Sequence, residues 1–230
     1  MKKFVKTKLR KIQGYLEKGI VGAFIQSLIW RFKHLYQKDW PEISLSSTEL
    51  PHRKQLASVV TASMDDIQSV LEIGCAAAPN LRLVRQKLPS ARLVGIDINQ
   101  KAIRTANDYF KSVGDDKTKC FARKAHQLSI FEDSTFDVCF SQRVMVCHPP
   151  HDFIRAVKEM LRVTKGKIIF NEYHQDGATE GFFDAGRWVY DYTSVFKKLS
   201  PEAEITMQKT DFSGGGWDNY GKLITVSLSR

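Results

Sequence analysis

The stretch from Val70 to Asn80 limits what this chain can fold into more than any other. It reads Val70-Leu71-Glu72-Ile73-Gly74-Cys75-Ala76-Ala77-Ala78-Pro79-Asn80. A short apolar run that meets an acid, a glycine and then small residues is the pattern of a buried strand ending in a tight turn that opens onto a helix. Gly74 lets the turn come close to a ligand, the small side chains of Cys75 to Ala78 leave room against the backbone, and the first amides of the next helix complete the contact. A second apolar strand, Leu93-Val94-Gly95-Ile96-Asp97, ends in a carboxylate. It follows at about 20 residues, the spacing at which a nucleotide-binding α/β unit reads ribose hydroxyls. Each motif alone is weak; in register they point to one crevice.

Composition sets the size of what surrounds that crevice. With 230 residues and 43% hydrophobic content, the chain buries a full core and carries one catalytic-size domain plus an appendage. Residues 1–40 hold ten Lys or Arg against Glu17 and Asp39, so most of the net charge of +10 sits there and the body is nearly neutral. A partner attracted by charge meets this segment first. Cys75, Cys120, Cys139 and Cys147 show no paired metal-ligand spacing. No metal is therefore expected, and reduced thiols fit a cytoplasmic protein. The apolar stretch from Gly19 to Trp30 is broken by Gln26 and Ser27 and is too short to span a bilayer. It runs into Arg31, Phe32 and Lys33 without the small-residue pattern of a secretory cleavage site.

Two regions are expected: a basic amphipathic helical arm over residues 1–50 and a main α/β domain over residues 51–230. In the arm Val5, Leu9, Ile12 and Leu16, then Val21, Phe24, Ile25, Leu28, Phe32 and Tyr36, recur at helical spacing with the basic residues mostly off the stripe. Such an arm rests peripherally on anionic lipid at the inner membrane surface, or packs as two helices on the main domain. Nucleic acid is a poorer match, because phosphate neutralisation needs few large apolar residues. The main domain reads as a helix over 53–67, the strand at Val70, a helix over 80–87, a strand over 92–97, and a helix over 101–113 closed by Gly114. Strands follow over 120–125 and 136–141, then a helix over 152–163, a turn at Gly166 and a strand over 167–171. A helix carrying Trp188, Tyr192, Val195, Phe196 and Leu199 precedes a final strand pair, 204–208 and 223–228, joined by a glycine-rich loop. This alternation predicts a doubly wound, mostly parallel sheet.

In motif and order, residues 70–166 resemble the class I S-adenosylmethionine-dependent methyltransferases, in particular the small-molecule group labelled methyltransferase type 11. Val70 to Cys75 is similar to the family's first motif and Val94 to Ile98 to its second. Phe136 to Ser141 is similar to the strand before the substrate loop, and Glu159 to Gly166 to the helix-to-strand turn. The resemblance implies a Rossmann-like, seven-stranded sheet and S-adenosyl-L-methionine as cofactor. It implies that Glu72 and the backbone of Gly74, Cys75 and Ala76 hold the methionine part, with Asn80 also among the cofactor-binding residues. Asp97 would hydrogen-bond the ribose, Ile98 would pack on adenine, Gln127 and Leu128 would cover the adenine edge, and Ser141 and Gln142 would face the sulfonium. Two departures stand out. Family members commonly carry glycine at the positions of Ala76 and Ala78, so this turn has added methyl groups. The acid that often precedes the adenine-covering segment is missing from Arg123-Lys124-Ala125-His126, which leaves the adenine amine to Gln127 or a main-chain carbonyl.

Displacement at a sulfonium needs alignment more than side-chain chemistry, and a base helps only when the acceptor must lose a proton. The titratable groups beyond the fourth and fifth strands are therefore the catalytic candidates: His148, Glu172 and His174. Each also has an ordinary reading, the histidines as structural or exposed residues and Glu172 as a partner of Arg187. The function expected is methyl transfer to a small-molecule or lipid-like acceptor. An RNA methyltransferase steered by the arm, and a non-catalytic cofactor-binding module, are the alternatives.

Overall fold

The computed structural model describes Ser44 and residues 46–184 and 187–229; of the arm expected over residues 1–50, all but Ser44 and residues 46–50 lies outside them. Five parallel strands are laid down first: β1 (Ser69–Ile73), β2 (Arg92–Asp97), β3 (Thr118–Ala122), β4 (Phe136–Gln142) and β5 (Thr164–Tyr173). Every residue of β1 and β4 is buried, as central strands covered on both faces must be. A hairpin, β6 (Phe182–Asp184) and β7 (Arg187–Val189), stands apart from the main sheet. The last strands, β8 (Glu204–Lys209) and β9 (Gly221–Ser227), complete seven in the order β3-β2-β1-β4-β5-β9-β8. β9 runs antiparallel to both β5 and β8. The order reverses between β1 and β4, so the ligand crevice of such a sheet opens beyond their carboxyl ends.

Alternation along the strands sorts side chains onto two layers. Val70, Leu93, Val138, Phe140 and Ile169 pack under α1 (Pro51–Thr61), α2 (Pro79–Lys87) and α3 (Gln100–Ser112). Leu71, Ile73, Val94, Cys139, Ile168 and Phe170 pack under α4 (Pro150–Val163) and α5 (Tyr192–Leu199). The helix starts follow local chemistry. Proline occupies the first turn of α1, α2 and α4, Asn99 caps α3 through Lys101 and Ala102 N–H, and Asp191 caps α5 through Ser194 N–H.

Four expectations are corrected. Gly166 lies inside β5 and not in a turn; a Cβ there would stand 2.6 Å from both the Asp137 carbonyl and Met64 Sδ, so close packing is what requires glycine. The third strand sits two residues earlier than expected, with Thr118 and Cys120 turned inward. Trp188 belongs to β7 and not to the following helix, because a three-residue strand is too short for its period to be read. The glycine-rich loop holds a short helix, α6 (Trp217–Tyr220).

Gly95, in β2, is fixed by its neighbours: a Cβ there would meet Cys75 Sγ at 2.7 Å and Cys120 Sγ at 3.0 Å. Gly95→Ala is expected to cost about 1–3 kcal/mol of stability in urea denaturation, the usual range for overpacking. Adding Cys75→Ala should recover part of that loss; no recovery would place the clash elsewhere.

Candidate active site

The turn after β1 is built from left-handed residues. Gly74 has φ +73°, Ala76 +50° and Ala78 +61°. Gly74 and Cys75 N–H both donate to Ile96 O, at 2.7 and 2.9 Å, which folds the turn back across the end of β2. Gly74 cannot be replaced, since a Cβ would stand 2.2 Å from Val144 Cγ2. The turn after β4 is thereby seated directly on the turn after β1. At the end of β2, Asp97 Oδ2 accepts from Ala76 N–H at 2.9 Å and Oδ1 from Asn99 N–H at 2.8 Å. The carboxylate is thereby pinned at the mouth of the crevice. Beside it Ile98 keeps 38% of its surface exposed and Phe121 37%, apolar faces at the rim.

Under α1, strand alternation collects polar groups where the core would otherwise be apolar. Glu72 is buried, and its Oε1 accepts from Asn80 Nδ2 at 2.7 Å. Asn80 Oδ1 accepts from Arg53 Nη1 at 2.9 Å, and the same nitrogen lies 3.4 Å from Gln142 Oε1. Three groups in this cluster are buried without a hydrogen bond: Glu72 Oε2, Arg53 Nε and the Asn171 side-chain amide. Burial is the main cause that lifts the Glu72 carboxyl to about 7, against the opposing pull of Asn80 and Arg53. Burial likewise lowers Arg53 to about 10. Unsatisfied buried donors and acceptors are rare and mark sites where a partner is missing.

On the other face Glu172 is also fully buried, yet it is satisfied. Oε1 accepts from Ser141 Oγ, Val144 N–H and Met145 N–H, and Oε2 from Val146 N–H, all between 2.9 and 3.2 Å. Burial raises its pKa against these bonds. It fastens the 3-10 turn Met145–Cys147 to β5.

These contacts sort the candidate residues. Glu72, Gly74, Cys75, Ala76, Asn80 and Asp97 converge on the crevice, joined by Gln142 through Arg53. Ser141 points its hydroxyl into Glu172 and is fully buried. Leu128 is in the core, with its carbonyl taken by Arg162 Nη2 and Phe131 N–H, which leaves only Gln127 at the surface there. Glu172 braces a turn, its oxygens taken by Ser141 and by the backbone of Val144, Met145 and Val146. His174 accepts from Tyr192 N–H at Nδ1, so its proton is on Nε2, 3.2 Å from Asp176 Oδ1; both nitrogens are occupied. His148 differs. Its Nδ1 donates to Val144 O at 2.8 Å, which puts the lone pair on Nε2, and burial lowers its pKa, keeping the ring neutral. The ligand atoms of His174, Asp176 and Asp191 lie within 4.8 Å of one another, but Asp191 is spent on the α5 cap. Arg53 and Val144 were missed from sequence. Arg53 was legible as a cation on the inward stripe of α1, beside His52, Leu56, Ala57 and Val60.

The two alanines at positive φ carry strain that glycine would not. Ala76→Gly should raise stability by about 0.5–1 kcal/mol in denaturant titration; a loss would mean that the methyl group packs more than it strains.

Residues 70–167 match the sequence model of a family described as a methyltransferase domain. The chain is 27% identical over 134 residues to phthiotriol/phenolphthiotriol dimycocerosates methyltransferase of Mycobacterium tuberculosis, across 56% of this chain and 47% of that protein. The chain thus spans about half the length of the curated relatives it matches. Among solved structures, Burkholderia thailandensis 1,6-didemethyltoxoflavin-N1-methyltransferase, with bound 1,6-didemethyltoxoflavin and S-adenosylhomocysteine, superposes with TM-score 0.69 at 10% identity, over 92% of both chains. The 4+2 cyclase SpnF superposes with TM-score 0.59 at 19% identity, over 76% of this chain and 81% of that one. Such likenesses establish the shared fold, and the motifs, turn and strand order agree with the similarity of residues 70–167 to a methyltransferase domain.

Proposed function

We propose that this chain binds S-adenosylmethionine in the crevice between the β1 and β4 ends and transfers its methyl group to a small or lipid-like acceptor. One observation carries the reading: Glu72 Oε2 and Arg53 Nε are buried and unbonded within one cluster, and an α-amino acid supplies a cation for the first and an anion for the second. The residues present therefore fit the methionine end, and Asp97 and Ile98 fit a ribose and a flat base. When bound, the cofactor supplies the activated methyl of an in-line displacement. The chain's part is to hold that methyl in line with the acceptor and to exclude water through the Val144 seat on Gly74. His148 Nε2 takes the proton from an acceptor hydroxyl or amine. The mycobacterial relative, named for a lipid substrate, and the basic, apolar-striped residues 1–40 support an acceptor met at an anionic membrane surface. No helix among the described residues is long and apolar enough to cross one.

Calorimetry with S-adenosylhomocysteine tests the cofactor reading. Binding that drops by about tenfold or more in Asp97→Ala, the loss of one charge-assisted bond, is expected. No binding by the unaltered chain would sink it.

The acidity of Glu72 gives a second check. A ligand ammonium needs the carboxylate ionised, so affinity should fall as pH drops below about 7, by at most about tenfold per unit, and level off above. Glu72→Gln should remove that slope. Without ligand the sign reverses. The raised carboxyl favours the fold fully below its unfolded value, and that contribution is lost as pH rises through about 7. Glu72→Gln should therefore flatten the pH dependence of unfolding between pH 4.5 and about 7.

A further inference from the structure

Resting on the methyltransferase reading, we propose that Asn171 reads the acceptor, its side-chain amide pairing with a cis-amide edge, one N–H beside one C=O, of an uncharged molecule. Asn171 is fully buried near the end of β5, and among the described residues neither its Nδ2 nor its Oδ1 has a hydrogen-bond partner. Its carbonyl is engaged, accepting from Arg143 N–H at 3.1 Å, so the want is in the side chain alone. Few buried polar groups stay unmet in a folded chain, and here both halves of one amide do. The amino-acid end of the cofactor answers Glu72 Oε2 and Arg53 Nε; the amide is left over.

Strand register separates this amide from that end of the cofactor. Asn171 pairs with Gln142 on β4 and with Leu223 on β9, and residues paired in this way show their side chains on one face of the sheet. That face lies under the first turn of α1. Gln142 Oε1 meets Arg53 Nη1 and Gln142 Nε2 meets His52 O, both at 3.4 Å, and Leu223 shares a core with Leu56. Glu72 stands on β1, two strands away in the order β1-β4-β5, so about 10 Å of sheet lies between it and Asn171. One amino-acid group does not span both. With the end of β4 between them, the methionine end takes the Glu72 side and the acceptor takes the Asn171 side.

The surroundings favour a neutral ligand. Burial first, and then the charges of Arg53 and Arg143, hold His52 down at about 4, so its ring carries no charge. That ring meets Phe212 at 3.9 Å, Phe212 stacks on Trp217 at 4.4 Å, and Trp217 meets Tyr173 at 4.6 Å. Tyr173 lies two residues beyond Asn171 on the same face of β5, so an arc of rings runs from α1 back to the strand that carries the amide. The arc is fastened at its solvent edge by Gln55, which donates to Lys209 O at 2.9 Å and accepts from Asp211 N–H at 2.7 Å, bonds that water can replace when a ligand enters. An amide offers nothing to offset the charge of a buried ion. It does answer one donor and one acceptor with two parallel bonds, as asparagine does on an adenine edge, and that match holds whichever way its O and N are turned.

The test titrates the full chain, saturated with S-adenosylhomocysteine, with 2-pyridone, N-methyl-2-pyridone and benzamide. The first carries the edge in a flat ring, the second has its donor blocked, and the third carries the edge as a free carboxamide. 2-Pyridone or benzamide should bind about tenfold or more tightly than the blocked ring, and the stronger of the two tells a ring lactam from a pendant amide. Asn171→Leu should abolish that preference, with S-adenosylhomocysteine affinity kept and the melting temperature held or raised, because an apolar side chain of like size leaves no polar group unmet. Asn171→Ala carries the same comparison should the leucine variant fail to fold. Equal binding of the blocked ring, a preference that survives in the variant, or no amide bound at about 10 mM, overturns the proposal. If S-adenosylhomocysteine itself fails to bind the unaltered chain, the methyltransferase reading fails instead, and the same titrations on the cofactor-free chain still decide Asn171.

Discussion

The site depends on the buried carboxylate of Glu172. One side chain at the end of β5 accepts the Ser141 hydroxyl and three successive backbone N–H groups, from Val144, Met145 and Val146. A carboxylate taken out of water costs several kcal/mol unless such donors meet it. Its retention makes the end of β4, the following 3-10 turn and β5 a single piece. Gln142, Arg143, Val144 and His148 are all displayed from that piece. Gly74 completes the arrangement from below, since only a residue without a side chain accepts Val144 at that distance.

The sheet carries a second buried acid, Glu72, on its opposite face, and the contrast between the two is informative. Glu172 has a donor for each oxygen; Glu72 has Asn80 for one and nothing for the other. Structural acids are satisfied by the chain that buries them, whereas binding acids wait for a partner. The same distinction divides the histidines: His174 has both nitrogens engaged within the fold, His148 only one.

Much of this was legible in the order of residues. The β1 turn, the Asp97 strand end and the alternation of helices and strands follow from period and glycine placement, because central parallel strands are short, apolar and bounded. The final antiparallel pair was equally plain. What escaped depends on contacts between distant segments. Gly166 looks like a turn residue until Asp137 and Met64 are seen against it. Trp188 has helical spacing with Tyr192 and Phe196 yet lies in a hairpin. Leu128 and Ser141 stand beside site residues in sequence, but their side chains face the core. Arg53 reaches Asn80 across 27 residues and Gln142 across 89, and no local pattern encodes that meeting.

The place of β9 has a consequence for how such a chain is made. Residues 221–227 do not extend the sheet at its rim; they insert between β5 and β8. Until they emerge during synthesis, β5 presents an open row of backbone donors and acceptors, and β8 has no neighbour to pair with. Glu172 and Tyr173, in the strand that anchors the site, pair with Lys222 and Gly221. The turn that displays Arg143 and His148 therefore reaches its final footing only after nearly all of the chain described here has been released to fold.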